Sequence, residues 1–131
     1  MNKYKALIVD AELNSAAIIA HIVDHYCIDV EVTARATEIS EALLAINAHK
    51  PDILFLDIRL RNDDSFQLLD PLEHTKMQVI IITALSEYVT KTFKYNVVDY
   101  ILKPLQGMEV LLAIEKAIKS IEKQQHLDFY K

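Results

Sequence analysis

Three stretches of the chain are apolar without a break: Ala6–Val9 (ALIV), Ile53–Leu56 (ILFL) and Val79–Ile82 (VIII). A strand with one solvated face alternates apolar and polar residues, so unbroken runs predict strands covered on both faces. With their β-rich surroundings they define five predicted strands, at Tyr4–Val9, Asp29–Ala34, Ile53–Leu56, Val79–Thr83 and Asp99–Leu102. Between the strands the apolar period lengthens to that of a helix. Ile19, Ile22, Val23 and Tyr26 fall at i, i+3, i+4 and i+7, as do Ile39, Ala42, Leu43 and Ile46. Leu111, Ile114, Ile118 and Ile121 mark a long last helix. Shorter patterns predict helices at Phe66–Asp70, cut short by Pro71, and at Glu87–Tyr95, which Ser86 can cap.

Strand and helix thus alternate five times, with no linker or low-complexity segment between them. Such alternation predicts a doubly wound α/β fold: a five-stranded parallel sheet, helices on both faces and right-handed crossovers. In this class, ligands bind outside the carboxyl ends of the strands. Asp10, Asp57, Thr83 and Lys103 each lie at or just past such an end. Four chemically assertive side chains are therefore expected on one rim.

Composition narrows what that rim can do. The 131 residues are 52% hydrophobic and 25% charged, which fits one globular domain and disfavours disorder. No apolar run approaches the ~20 residues of a membrane span, and MNKYKALIVD reaches an acid too early for a signal peptide. The single cysteine, Cys27, excludes an internal disulfide, fits a cytoplasmic location and reads as a small buried hydrophobe. A net charge of -5 argues against nucleic-acid binding by this domain itself. The most useful count is glycine, found once, at Gly107. Glycine-rich phosphate loops need several, so nucleotide binding of the P-loop or Rossmann kind is excluded.

Asp57 closes the run ILFLD, where an isolated acid reads most simply as a solvated strand end. With its neighbours on the rim it reads instead as an aspartyl nucleophile that takes a phosphoryl group. That chemistry needs cationic help for the phosphoryl oxygens. Magnesium accepts oxygen ligands and tolerates waters, so Asp10, Asp57 and the backbone carbonyl of Arg59 suffice as protein ligands. Lys103 adds a mobile point charge and Thr83 a hydroxyl, both suited to phosphoryl oxygens.

In order along the chain, VDAE, LFLDIRL, IIITALS and VVDYILKP resemble the receiver domain of two-component response regulators, over essentially the whole length. The stretch YVTKTFKYNVVDYILKP particularly resembles receivers attached to LytTR-type DNA-binding domains. The resemblance implies a flavodoxin-like (βα)5 fold with strand order 2-1-3-4-5. It makes Asp57 the phosphoacceptor, fed by a sensor histidine kinase, and puts Asp10 in the metal pocket. Thr83 and Lys103 would contact the phosphoryl group. Tyr100, otherwise a plain half-buried strand aromatic, would be the ring that swings inward when Thr83 moves. Lys103-Pro104 is where the family has a cis peptide. The implied switch repacks the surface of the fourth helix, fifth strand and fifth helix, through which receivers can form homodimers or address an output domain or partner protein. Tyr88, Phe93 and Tyr95 would sit on or near that surface, although Val89 and Phe93 also pair as core at i, i+4.

Three positions depart from the family pattern. Ala11 replaces an aspartate that ligates magnesium, Arg61 a loop proline, and Ser65 a glycine that allows positive φ. With no carboxylate at position 11, magnesium binding is expected to be at least roughly 10-fold weaker. Water can fill the position, Asp10 or Glu12 can shift inward, and Arg59 or Arg61 can offset phosphoryl charge.

The leading reading is therefore a phosphoryl-accepting receiver, not an enzyme, with a weakened cation pocket. The alternative is a pseudo-receiver that docks or dimerises without phosphorylation. A phosphatase of the haloacid dehalogenase type needs a second Asp where Arg59 stands, and AELNS is a poor flavin-phosphate loop. His21 and His25, at i, i+4 beside Asp24, have zinc-ligand spacing but no third ligand and are expected to face solvent. Asp63-Asp64 reads as a solvated loop. The receiver is expected over residues 1–125, with 126–131 a terminal tail or the start of a linker to an output domain.

Overall fold

The runs that are apolar throughout are central strands packed on both sides. The computed structural model describes residues 3–60, 63–65, 68–69, 76–84, 95 and 97–129. Five strands, β1 (Tyr4–Val9), β2 (Val30–Ala36), β3 (Ile53–Asp57), β4 (Gln78–Thr83) and β5 (Val97–Leu102), form one sheet. All are parallel, in the order β2-β1-β3-β4-β5. Three helices lie among the described residues: α1 (Leu13–Tyr26), α2 (Ile39–His49) and α3 (Gly107–Phe129). The helices expected at Phe66–Asp70 and Glu87–Tyr95 lie largely outside the described residues, as do Arg61, Tyr88, Val89 and Phe93.

Side chains of a strand alternate between faces, and both faces here are apolar. Ala6, Ile8, Ile53, Phe55, Ile80 and Ile82 pack on one side beneath α1 and α3, against Ile19, Val23, Val110 and Ala113. Leu7, Val9, Leu54, Leu56, Val79 and Ile81 point to the other side, where they meet Ala42 of α2 with Leu60, Leu68, Leu69 and Tyr95.

The helical stripes are narrower than their periodicity predicts. Tyr26 is 69% exposed because it is the last residue of α1, past the buried Ile22 and Val23. Leu43 is also exposed, because α2 turns Ile39, Ala42, Ala45 and Ile46 to the sheet. β2 and β5 run longer than their apolar patterns, each with a register shift: Ala6 pairs with Val32 but Leu7 with Ala34, and Val79 with Val97 but Ile80 with Asp99. No described helix is long and apolar enough to cross a membrane.

Candidate functional site at the carboxyl ends of the strands

Sheet register assembles the rim. Val9 pairs with Leu56, so Asp10 and Asp57 leave adjacent strands side by side. Thr83 pairs with Leu102, and the Lys103 backbone N–H donates to the Thr83 carbonyl at 2.8 Å, carrying the ladder one residue further. The Asp10 N–H likewise donates to the Ala36 carbonyl at 3.0 Å. Asp10, Asp57 and Thr83 are all buried.

Both acids are fixed by the same local device. The Glu12 N–H donates to Asp10 Oδ1 at 2.8 Å, and the Arg59 N–H donates to Asp57 Oδ1 at 3.0 Å. An Asp that accepts from the backbone two residues on forms an Asx turn, which ends the strand and aims the carboxylate. Past Asp57, Arg59–Leu60 pairs antiparallel with Asp63–Asp64, a ribbon where only a loop was expected.

Lys103 closes the site. Its Nζ lies 2.9 Å from Asp57 Oδ2, 2.8 Å from Glu12 Oε1 and 3.1 Å from Asp10 Oδ1. The expected mobile point charge is thus held in place, with its side chain only 8% exposed. Asp10 Oδ2 is also 3.1 Å from Nζ, an ion-pair contact without a directed hydrogen bond; among the described residues this buried oxygen receives none. One ammonium serving three carboxylates satisfies the lysine better than the acids. Burial disfavours the Lys103 charge, but the hydrogen bonds to Glu12 and Asp57 outweigh it and hold its pKa above the usual lysine value. Burial pushes Asp57 from 3.8 up to about 6, against the pull of Lys103 and of the Arg59 N–H.

The oxygens of Asp10, Glu12 and Asp57 lie within 4.8 Å of one another. A hard oxygen donor set with an undonated buried carboxylate oxygen fits a magnesium-like cation. Ala11, between two of these acids, packs its methyl against the core on the α2 side of the sheet and offers no side-chain ligand.

Tyr100 is half-buried on the α2 side of the sheet, where it packs against the core. The Lys103-Pro104 peptide bond is cis, as the resemblance implied. A family model described as the response regulator receiver domain matches residues 6–115.

The chain belongs to that family.

Its similarity to known receivers extends along the chain. It is 36% identical over 117 residues to a sensory transduction protein LytT from Enterococcus faecalis, covering 88% of this chain and 48% of that protein. It is 34% identical over 119 residues to a sensory transduction protein LytR from Streptococcus agalactiae, with the same shares covered. The receiver of AraT, a response regulator from Geobacillus stearothermophilus, superposes with a TM-score of 0.79 at 28% identity, covering 95% of this chain and 98% of that one. The receiver here therefore spans about half the length of the curated relatives named.

Tyr95 is buried rather than surface-lying, because it fills the core beside Leu68 and Leu69. Cys27 is only partly buried, at the end of α1, and burial pushes its thiol pKa up, away from reactivity. His21 and His25 are exposed with ring centroids 4.0 Å apart; among the described residues, only Asp10, Glu12 and Asp57 form a metal-competent group.

Ser65 does more than depart from the loop pattern of the family. It is fully buried, its hydroxyl donates to the Asp57 carbonyl at 2.6 Å, and its N–H donates to the Ile58 carbonyl at 2.7 Å. Lys50 is the only described residue with positive φ, so Ser65 has no need of glycine's freedom. Its hydroxyl chemistry was the available signal, but nothing in its spacing points eight residues back.

Proposed function

We propose that this receiver accepts a phosphoryl group on Asp57 from a sensor histidine kinase and acts as a signalling substrate rather than an enzyme. The observation that carries the reading is the buried Asp57 carboxylate with Lys103 Nζ 2.9 Å away and Asp10 beside it. An Asp57 oxygen attacks phosphorus, the phosphorus–nitrogen bond of the kinase phosphohistidine breaks, and its electron pair returns to the imidazole. Lys103 then moves its ammonium onto a phosphoryl oxygen, a charge-assisted contact that replaces one to a carboxylate. Asp10, Asp57, Glu12 and the Arg59 carbonyl would hold a magnesium ion, which when bound offsets charge on the phosphoryl oxygens. Ala11 makes that pocket weaker than a receiver with two adjacent aspartates.

Thr83, one strand from Asp57, turns its hydroxyl to the phosphoryl group, and Tyr100 moves into the vacated space. The repacked surface around β5 and α3 passes the signal to an output domain or partner protein, and is the surface for homodimerisation. Output is transcriptional control in the cytoplasm. Such a switch shifts populations only by the difference in contacts between its two states.

The test is incubation with acetyl phosphate and magnesium followed by intact mass. Addition of one phosphoryl group in the wild type and none in Asp57→Asn supports the proposal. No addition, or addition that survives Asp57→Asn, overturns it. No addition favours the second reading, an interaction module that never switches by phosphorylation, for which Ala11 and the three carboxylate contacts of Lys103 speak.

A further inference from the structure

We propose that the groove between the α1–β2 turn and α3 is a docking site for a basic amphipathic helix of another protein. The inference is separate from the proposed function and uses none of the residues at the rim. α1 starts beside the rim and runs 14 residues, about 21 Å, away from it. Its far end is where the surface turns apolar.

The turn that joins α1 to β2 holds two large apolar side chains in water: Tyr26 is 69% exposed and Ile28 78%. Beside them Cys27, with Leu111 and Ile118 of α3, is only partly buried against the core. With the buried Ile114 these residues line a groove of about 400 Å3. It follows α3 from Leu111 to Glu122, about 16 Å, which matches three turns of a partner helix. Leu111, Ile114 and Ile118 fall at i, i+3 and i+7, the spacing with which an apolar helix face meets a groove. A contiguous apolar patch inside a polar rim marks an interaction surface.

The rim decides the occupant. Its acids are Asp29, Glu115 and Glu122, and its base is Lys119. Lys119 Nζ is held by Glu115 Oε1 at 3.0 Å, so Asp29 and Glu122 set the sign of the rim. Their field reaches Tyr4, whose backbone N–H donates to the Asp29 carbonyl at 2.8 Å. Burial first, then Glu122, Asp29 and Asp52, push the Tyr4 hydroxyl above its usual pKa. An apolar stripe flanked by Lys or Arg complements this surface in both shape and charge. A second copy docked about a two-fold axis would instead bring the same acids face to face. An anionic membrane would be repelled by them.

Two synthetic helices of about 18 residues serve as probes, with one leucine stripe at i, i+3, i+4 and i+7. One is flanked by lysines and the other by glutamates. The Lys-flanked helix should bind the wild-type chain with amide shifts clustered at Ile28, Leu111 and Ile118. The Glu-flanked helix should bind at least about tenfold more weakly. Ile28→Ser, at a side chain the fold leaves in water, should weaken the Lys-flanked helix at least about tenfold. Glu122→Lys should weaken it about threefold or more, and both variants should keep the wild-type melting temperature. No binding, equal binding of the two helices, full affinity in Ile28→Ser, or shifts centred on β5 overturns the proposal. So does a dimer of the chain alone that Ile28→Ser dissociates, which gives the groove to a second copy. Binding to phosphatidylserine vesicles that Ile28→Ser abolishes overturns it as well, in favour of a membrane.

Discussion

Ser65 donates its hydroxyl hydrogen to the backbone carbonyl of Asp57 over 2.6 Å, with Ser65 fully buried. The same residue accepts at its own carbonyl from the N–H groups of Leu68 and Leu69, at 3.0 and 3.3 Å. The chain leaving Asp57 is thereby tied back onto Asp57. Removing the hydroxyl by Ser65→Ala leaves a buried carbonyl short of a donor, at a cost of about 1–2 kcal/mol. Thermal unfolding should show a midpoint roughly 3–6 °C lower. Phosphoryl addition to Asp57 should slow while still going to completion.

Asp57 gives the fold a pH dependence of definite sign. Its carboxyl titrates at about 6 in the folded chain against an ordinary 3.8. Between those values the folded state holds the proton more firmly than the unfolded chain, so unfolding free energy falls as pH rises through the window. The contribution is fully present below 3.8 and lost above about 6. Asp57→Asn removes it. In chelator, the stability of Asp57→Asn relative to wild type should rise between about pH 4 and pH 7, by at most roughly 3 kcal/mol. Urea unfolding at the two ends of that range measures it; a parallel pH profile for the two proteins contradicts the assignment.

Lys103 holds three carboxylates together, two of them buried. Lys103→Gln leaves those charges facing one another and should cost about 3 kcal/mol or more in chelator. If the cluster holds magnesium as proposed, the ion should recover part of that loss by favouring the folded over the unfolded chain. Denaturant titrations with and without magnesium give both numbers.

For Thr83 and Tyr100, the expectation concerns coupling rather than stability. Phosphoryl addition in the wild type should shift the Tyr100 ring resonances. In Thr83→Ala, addition to Asp57 should persist while the Tyr100 shift shrinks, because the hydroxyl proposed to follow the phosphoryl group is gone. A full-sized shift in Thr83→Ala removes Thr83 from the switch.

The rim could be read from the sequence because its logic is one-dimensional. Unbroken apolar runs mark strands covered twice, parallel strands end on one side, and a polar residue closing each run falls on that side. Asp10, Asp57, Thr83 and Lys103 needed nothing more. What stayed hidden depends on side-chain reach and on register. The Glu12 carboxylate folds back to a lysine 91 residues away, and Ser65 reaches back to a carbonyl eight residues earlier. Neither contact leaves a periodic trace. The skipped residues in β2 and β5 shift the register without disturbing the apolar pattern that located the strands. Tyr26 and Leu43 fit the helical period yet are exposed, since periodicity says which residues share a face and not how far the sheet extends beneath it.

Lys103 meets Asp10 across 93 residues of chain and Asp57 across 46. The pocket thus borrows its cation from the edge strand β5 and its acids from the interior of the sheet. A molecule whose last strand has peeled away keeps β1 and β3, but its two buried aspartates then lie side by side with no ammonium between them. Competence at this site is consequently an audit of assembly: the loaded pocket certifies that both ends of the chain have found the same sheet.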